Sequence, residues 1–296
     1  MSTTLRLWQL RFLEGIGVKS FRARSGLNQP FICHLGDFLG EHPFYNADCS
    51  RDEITIISAW CSQFDEPIIL DVGGNVGFIT TQVAQLLRDK NPRVFSFEPV
   101  PPTFRRLVES VRRLGLEDYV YPICSALSDA PKLARIWYAE RASLFAQISD
   151  DRPTERVGNK SAWCSALTLD DVHAAISHMP TLIKVDVEGH EVKVFAGAKR
   201  LLSCAERPAI LFELNPMTLN ETGGRIGELN EMLGGYRFFY VNDFEGQRMR
   251  FGEPVAELES IQWVSNIFAV PQRPEAERLW SQAVGDAERI LKSYRK

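Results

Sequence analysis

At 296 residues and a formal charge of −4, the chain is long enough for one large domain, or one domain with a small addition. Its apolar and charged fractions are those of an ordinary soluble globular protein. No long basic run exists to hold nucleic-acid phosphates, because Arg105, Arg106, Arg112 and Arg113 are spaced to line the solvated face of one helix.

The N-terminus, MSTTLRLWQLRFLEGIG, mixes charges into its apolar residues and lacks both a clean apolar core and a cleavage site. No stretch reaches transmembrane length. The six cysteines are scattered without a C-x-x-C pair, the pattern of reduced, buried thiols. The expected setting is the cytoplasm, with neither a membrane nor a nucleic acid as partner.

Residues 1–66 precede the first core strand. Phe38–Asn46, rich in aromatics, and the amphipathic Asp52–Ser62 are expected to form a cap on the sheet or over a substrate cleft. From Pro67 the chain alternates apolar runs with amphipathic stretches, the signature of a parallel sheet flanked by helices. The reading is strand Pro67–Val72, helix Phe78–Asp89, strand Arg93–Glu98, a helix over Thr103–Leu114 closed by Gly115, strand Tyr119–Cys124 and an extra strand Lys132–Ala139. Arg141–Lys160 is polar and loop-like, either a cover for a pocket or a surface excursion. Ser165–Leu169 is a short strand before a helix that Asp170 is placed to cap. Strand Leu182–Val187, a helix from His190 to Leu202, strand Ala209–Leu214 and a helix over Ile226–Leu233 follow. Tyr236–Val241 and Val264–Val270 close the sheet as an antiparallel pair, and Pro274–Lys296 is helical in pattern. The divisions are a cap (1–66), a core domain (67–272) and a C-terminal helix (273–296).

The run Asp71-Val72-Gly73-Gly74-Asn75-Val76-Gly77 reads as a strand end and a glycine turn that brings backbone close to a ligand. A dinucleotide fingerprint starting at Gly73 requires glycine at 75 and 78, where Asn75 and Phe78 stand. A P-loop requires a Gly-Lys pair that is absent. The pattern acidic-x-Gly-x-(Gly/Asn)-x-Gly remains, that of the first loop of Rossmann-like methyltransferases, where it embraces S-adenosylmethionine (SAM). A tight turn in an unrelated α/β protein has the same local appearance.

Ligands of open parallel sheets bind outside the carboxyl ends of the strands. The second strand ends in Glu98-Pro99, where a carboxylate can accept both ribose hydroxyls of an adenosine. The third ends in Ser125-Ala126, small enough to edge an adenine. The fourth is unusual: Lys184, Asp186 and Glu188 alternate with Val185 and Val187 where a buried strand should be apolar. A Lys–carboxylate pair that fixes the loop, with Glu191 at the start of the next helix, is one explanation. The other is a catalytic group in which His190, beside two carboxylates, serves as general base. Asp186, Glu188 and His190 also have the chemistry of a divalent-metal site, and Glu213 could add a carboxylate; a metal is possible but not expected.

In order, DVGGNVGFIT, FEPVPP, LTLDD, IKVDVEGHE and GAKRLL resemble the FkbM-type methyltransferases over roughly residues 68–215. The most specific element is Lys184-x-Asp186-x-Glu188-Gly189-x-Glu191. The resemblance implies a class I Rossmann-like methyltransferase fold, α/β with a mostly parallel, doubly wound sheet and a closing antiparallel pair. It also implies SAM as donor and O-methylation of a hydroxyl on a sugar, glycan or secondary metabolite. Gly74 stands where alanine is common in that family. On this basis Asp71, Gly73, Gly74, Asn75 and Gly77 hold the methionine end of SAM, Glu98 and Pro99 the ribose side, and Ser125 and Ala126 the adenine edge. His190 takes the acceptor proton, oriented by Asp186 or Glu188; Asp186 also touches the cofactor, and Lys184 balances the carboxylates. The competing readings are a catalytically silent SAM-fold scaffold or cofactor-sensing subunit and, disfavoured at Asn75 and Phe78, an NAD-dependent oxidoreductase.

Overall fold

The computed structural model describes residues 3–46, 48–139, 142–149, 157–243 and 251–294, without the side chains of residues 142–145 and 243. In chain order the elements are α1 (Thr3–Gly15), β1 (Ser20–Arg24), β2 (Pro30–His34), α2 (Phe38–Tyr45), α3 (Arg51–Cys61), β3 (Ile68–Val72), α4 (Phe78–Leu86), β4 (Arg93–Phe97), α5 (Pro101–Leu114), β5 (Val120–Ile123), β6 (Ala126–Leu127), β7 (Lys132–Ala139), β8 (Ala142–Ile148) and β9 (Lys160–Leu167). They continue as α6 (Leu169–Ile176), β10 (Leu182–Val185), α7 (Glu191–Ala196), α8 (Lys199–Ser203), β11 (Ala209–Leu214), α9 (Pro216–Glu221), α10 (Ile226–Met232), β12 (Tyr236–Asp243), β13 (Pro254–Val255), β14 (Ser265–Pro271) and α11 (Pro274–Tyr294).

Eight strands form one sheet in the order β13-β12-β14-β11-β10-β3-β4-β5. β3, β4, β5, β10 and β11 are parallel, and β14 and β12 close the sheet antiparallel. This is the class I Rossmann-like methyltransferase architecture. Its strands alternate sides: Ile69, Leu182, Leu211 and Phe268 face one core with α3, α4, α5 and α11, while Leu70, Ile183, Phe212 and Ile267 face the other with α6 to α10. Two buried faces explain the near-continuous apolar runs of the central strands. From β3 the chain runs outward through β4 and β5, then crosses back to β10. The switch point therefore lies between β3 and β10, where a ligand crevice is expected.

Several boundaries depart from the sequence reading. Residues 142–148, within the stretch read as loop, form β8, paired with β7 in a second sheet of order β6-β9-β7-β8; residues 150–156 of that stretch lie outside the described residues. The cap contains a β1–β2 hairpin as well as helices. The helix expected from His190 to Leu202 is broken into α7 and α8 at Gly197, where a Cβ would overlap the carbonyl oxygen of Ser128. Thr168, not Asp170, caps α6, in a capping box with Asp171. Asp170 instead accepts from the backbone of Arg200 and Leu201 in α8.

Candidate active site

The register of the sheet brings the first group together. Asp71 on β3 lies beside Ser96 on β4 and Lys184 on β10, so all three side chains leave the same face of adjacent strands. Thr80 and Ser96 donate to Asp71 Oδ2, Ser96 at 3.3 Å. Lys184 Nζ lies 3.5 Å from Asp71 Oδ1 and 3.1 Å from Asp186 Oδ2. Burial alone would lower the pKa of this lysine, but the facing carboxylates of Asp186 and Asp71 outweigh it and hold it above its ordinary value. Lys184 is thus the cation between two carboxylates, Asp186 from its own segment and Asp71 from β3. Only Lys184 sits on β10 itself; the strand ends at Val185, and Asp186 and Glu188 project from the loop beyond it.

The glycine turn is held from within. Gly73 and Gly74 both donate N–H to the Phe97 carbonyl, at 3.0 and 2.9 Å. Asn75 N donates to Glu98 Oε2 (3.1 Å), Val76 N to Asn75 Oδ1 (2.8 Å) and Gly77 N to the Gly74 carbonyl (2.9 Å). Every N–H from 73 to 77 therefore has an acceptor in the protein, and the turn offers none to a pyrophosphate, which weighs against a dinucleotide. Glu98, buried, also accepts from Val100 N at 2.8 Å. Burial pushes its carboxyl up to about 7, against those two backbone donors.

A cavity of about 270 Å³ opens at these strand ends. Asp71, Gly73, Gly74, Asn75, Glu98, Pro99, Ser125 and Ala126 line one part of it. Gly77 does not; its left-handed φ of +83° starts α4 and its Cα faces Leu107. The one hydrogen of the Ser125 hydroxyl has two backbone acceptors, the carbonyls of Ala126 and Ser165, each at 3.0 Å, so its contribution to the wall is mainly one of shape. Lys184, Asp186, Glu188, His190 and Glu213 line the other part.

One oxygen each from Asp186, Glu188 and Glu213 come within 4.8 Å of one another, a spacing among the described residues that would suit a hard divalent cation completed by water or acceptor oxygens. Burial, then the charges of Asp186, Glu188 and Glu191, push the Glu213 carboxyl up to about 10. Glu191 is placed differently: it accepts from the N–H groups of Val187 and Gly189 (3.3 and 3.1 Å) and holds the loop together.

His190 is not oriented by Asp186 or Glu188. Two successive left-handed residues, Glu188 (φ 54°) and Gly189 (φ 98°), turn the chain so that the ring points toward the segment after β6. There Nε2 lies 3.0 Å from Ser128 Oγ. Burial and the ammonium groups of Lys132 and Lys193 lower its pKa to about 4, against the opposing pull of Asp129, so the imidazole is neutral at physiological pH.

The sequence reading missed Glu53 and Asn266, which also line the cavity. Asn266 donates to Glu53 at 3.2 Å, and burial pushes the Glu53 carboxyl up to about 7. A buried acid among apolar residues of α3 was the one local sign. Asn266 had only its place on β14, next to Glu213 in register. Leu39 and Pro43 of α2 and Gln147 and Ile148 from the end of β8 complete the wall.

The site fits SAM on one observation in particular. Asp71 Oδ1, buried at the cavity, has Lys184 Nζ 3.5 Å away as an ion-pair partner but no hydrogen-bond donor among the described residues, so it keeps lone pairs that a second ammonium group could fill. Each Glu98 oxygen has one backbone donor and retains a second lone pair for a ribose hydroxyl.

The profile of the methyltransferase FkbM domain matches residues 71–240. Among solved structures, the chain is similar to a methyltransferase FkbM from Methylobacillus flagellatus KT (14% identity over 79% of this chain and 55% of that one, TM-score 0.46). It is also similar to a SAM-dependent methyltransferase from Agrobacterium tumefaciens (9% identity, 85% and 69% covered, TM-score 0.43) and to M. jannaschii TYW2 in complex with AdoMet (14% identity, 85% of each chain, TM-score 0.39). The chain thus spans 55% of the length of the first of these. No curated protein matches it.

Proposed function

The chain belongs to the FkbM methyltransferase family, and we propose that it moves the methyl group of SAM to a hydroxyl oxygen of a sugar, glycan or secondary metabolite. The observation that carries this reading is the single cavity wall that joins Asp71 and Glu98 to Asp186, Glu188, His190 and Glu213. SAM supplies an electrophilic methyl on a sulfonium sulfur; what remains for the protein is to align the acceptor, exclude water and remove its proton. Asp71 receives the amino group of the methionine end, and Glu98 accepts the ribose hydroxyls. The carboxylates of Asp186 and Glu188 face the acceptor, where their negative charge disfavours an anionic substrate, and Glu213, its carboxyl pushed up to about 10, adds a protonated acid beside them. His190, neutral at pH 7, takes the hydroxyl proton.

Incubation with methyl-labelled SAM and a panel of hydroxyl-bearing sugars and polyols, followed by mass spectrometry, tests the O-transfer reading. A one-methyl mass increase located on an ether oxygen supports it; label on nitrogen or carbon overturns it. With the acceptor found, His190→Ala should lower kcat by roughly 10²–10⁴-fold and leave SAM affinity unchanged. Wild-type turnover in that variant removes His190 from the chemistry. The silent-scaffold reading predicts no transfer to any acceptor.

Glu98 gives the SAM site a pH dependence with a definite sign. Its carboxyl titrates near 7 in the free protein, and the ribose hydroxyls require its ionised form. Binding therefore favours deprotonation, and affinity falls as pH falls through that value. Calorimetry should show the Kd of S-adenosylhomocysteine rising by up to about tenfold per pH unit between pH 7 and 6. Glu98→Gln should bind more weakly and without that slope; a slope retained in the variant assigns the titration elsewhere.

A further inference from the structure

We infer that Ser128 and Asp129 fix the tautomer of His190, holding the proton on Nε2 and leaving Nδ1 as the nitrogen that accepts. The inference rests on the methyl-transfer reading for its consequence in catalysis, and on hydrogen-bond geometry for the tautomer itself.

Ser128 Oγ lies 3.0 Å from His190 Nε2 and 3.0 Å from Asp129 Oδ1. A serine hydroxyl has one hydrogen to give, and the two contacts compete for it. Asp129 wins the competition because it is held ionised: Lys132 Nζ is 3.1 Å from Oδ1 and Lys193 Nζ is 3.2 Å from Oδ2. A carboxylate can only accept. The Ser128 hydrogen therefore goes to Asp129, and the Ser128 oxygen can meet Nε2 only as an acceptor. That puts the imidazole hydrogen on Nε2. Nδ1 then carries a lone pair and makes no hydrogen bond to any described residue, while the ring lines the cavity.

The relay is built in, not a chance meeting of surface side chains. Ser128 is fully buried, and its N–H donates to the Leu167 carbonyl at 2.8 Å, which fixes it at the end of β6. On the far side its carbonyl packs against Gly197, where a Cβ would overlap it. Lys193 belongs to α7, the helix that His190 caps, so the ion pair to Asp129 ties the ring's own helix to the serine that orients it. The order imidazole, hydroxyl, carboxylate, ammonium runs from the cavity to the exposed surface. An acid that fixes an imidazole tautomer from behind is an established device of proton-transfer sites.

The test is two-bond ¹H–¹⁵N NMR on the full chain with labelled histidine, saturated with S-adenosylhomocysteine at one fixed pH. The five histidines are few enough to identify His190 by its loss in His190→Gln. The wild type should give a single Nε2–H pattern for that residue. Ser128→Ala should give mixed tautomers. Asp129→Ala, a change at a partly exposed side chain that leaves the buried serine in place, frees the Ser128 hydrogen for Nε2 and should shift the ring toward Nδ1–H. A wild-type Nδ1–H pattern, or an Nε2–H pattern unchanged in both variants, overturns the inference. In the transfer assay, Ser128→Ala should lower kcat by about 10-fold or more with the KM for SAM unchanged, and Ser128→Thr should recover part of it. If the tautomer shifts as expected while His190→Ala keeps full turnover, the positioning stands and the base assignment alone falls.

Discussion

Lys184→Met should lower the unfolding free energy by about 3–5 kcal/mol, the loss expected when one partner of a buried ion pair is removed. Asp71 is the reason. It is 3% exposed, and its Oδ1 faces Lys184 Nζ at 3.5 Å with no hydrogen-bond donor among the described residues. Methionine matches the lysine stem in shape but leaves the carboxylate without a cation in a low-dielectric setting. Asp186 loses the same partner, but its side chain is 35% exposed and water can replace much of the interaction. Urea denaturation of the single variant, and of the double variant Lys184→Met with Asp71→Asn, checks this assignment. The double variant should recover a large part of the loss, because a neutral amide does not require the ammonium. A single-variant loss below about 1 kcal/mol, the level of a solvated surface pair, would mean that the pair is hydrated from the cavity.

Gly73→Ala should cost about 2–6 kcal/mol, from two separate sources. The residue has φ +87°, which an alanine adopts only with strain of about 1–3 kcal/mol. A Cβ there would also overlap the carbonyl oxygen of Asp186, and relieving it costs about 1–3 kcal/mol more. The obstacle is backbone at the exit of β10, so relief requires the turn and the Asp186 loop to move apart. Gly115→Ala is the matched control, with φ +64° and nothing within 4 Å of the added Cβ. Its cost should be the dihedral contribution alone, at about 1 kcal/mol. Equal costs for the two variants in denaturant unfolding would show that the Gly73–Asp186 approach is not under constraint. A further consequence separates them: Gly73→Ala should weaken S-adenosylhomocysteine binding, and Gly115→Ala should not.

The pattern of these costs explains what the sequence could and could not disclose. Strands of a doubly wound sheet announce themselves locally, through apolar runs such as Ile68-Ile69-Leu70 and Ala209–Phe212, buried on both faces. The polar residues that interrupt them, Asp71 and Lys184, stand out against that background, and their pairing follows once β3 and β10 are taken as neighbours. Other partners of the site have no such local signature. Glu53 arrives from the cap and Asn266 from the closing strand, 213 residues away along the chain. Ser128 meets His190 across 62 residues, and neither its neighbours nor its spacing suggest a role. The carboxylates of Asp186 and Glu188 were expected to orient His190 because they adjoin it in sequence. The left-handed Glu188 and Gly189 reverse that expectation, since chain direction at a turn is set by φ and not by proximity in the sequence. The strand β8 was hidden for another reason: its polar flanks read as loop, and among the described residues it pairs with β7 alone, at the edge of a small second sheet.

The central claim, that the cavity between β3 and β10 is a SAM site, is tested most directly by titrating S-adenosylhomocysteine into the full chain in a calorimeter, with NADH as the comparison. One equivalent of S-adenosylhomocysteine should bind, the affinity should fall in both Glu98→Gln and Asp71→Asn, and NADH should give no saturable heat. Binding of NADH, or S-adenosylhomocysteine binding unaffected by either substitution, would contradict the account.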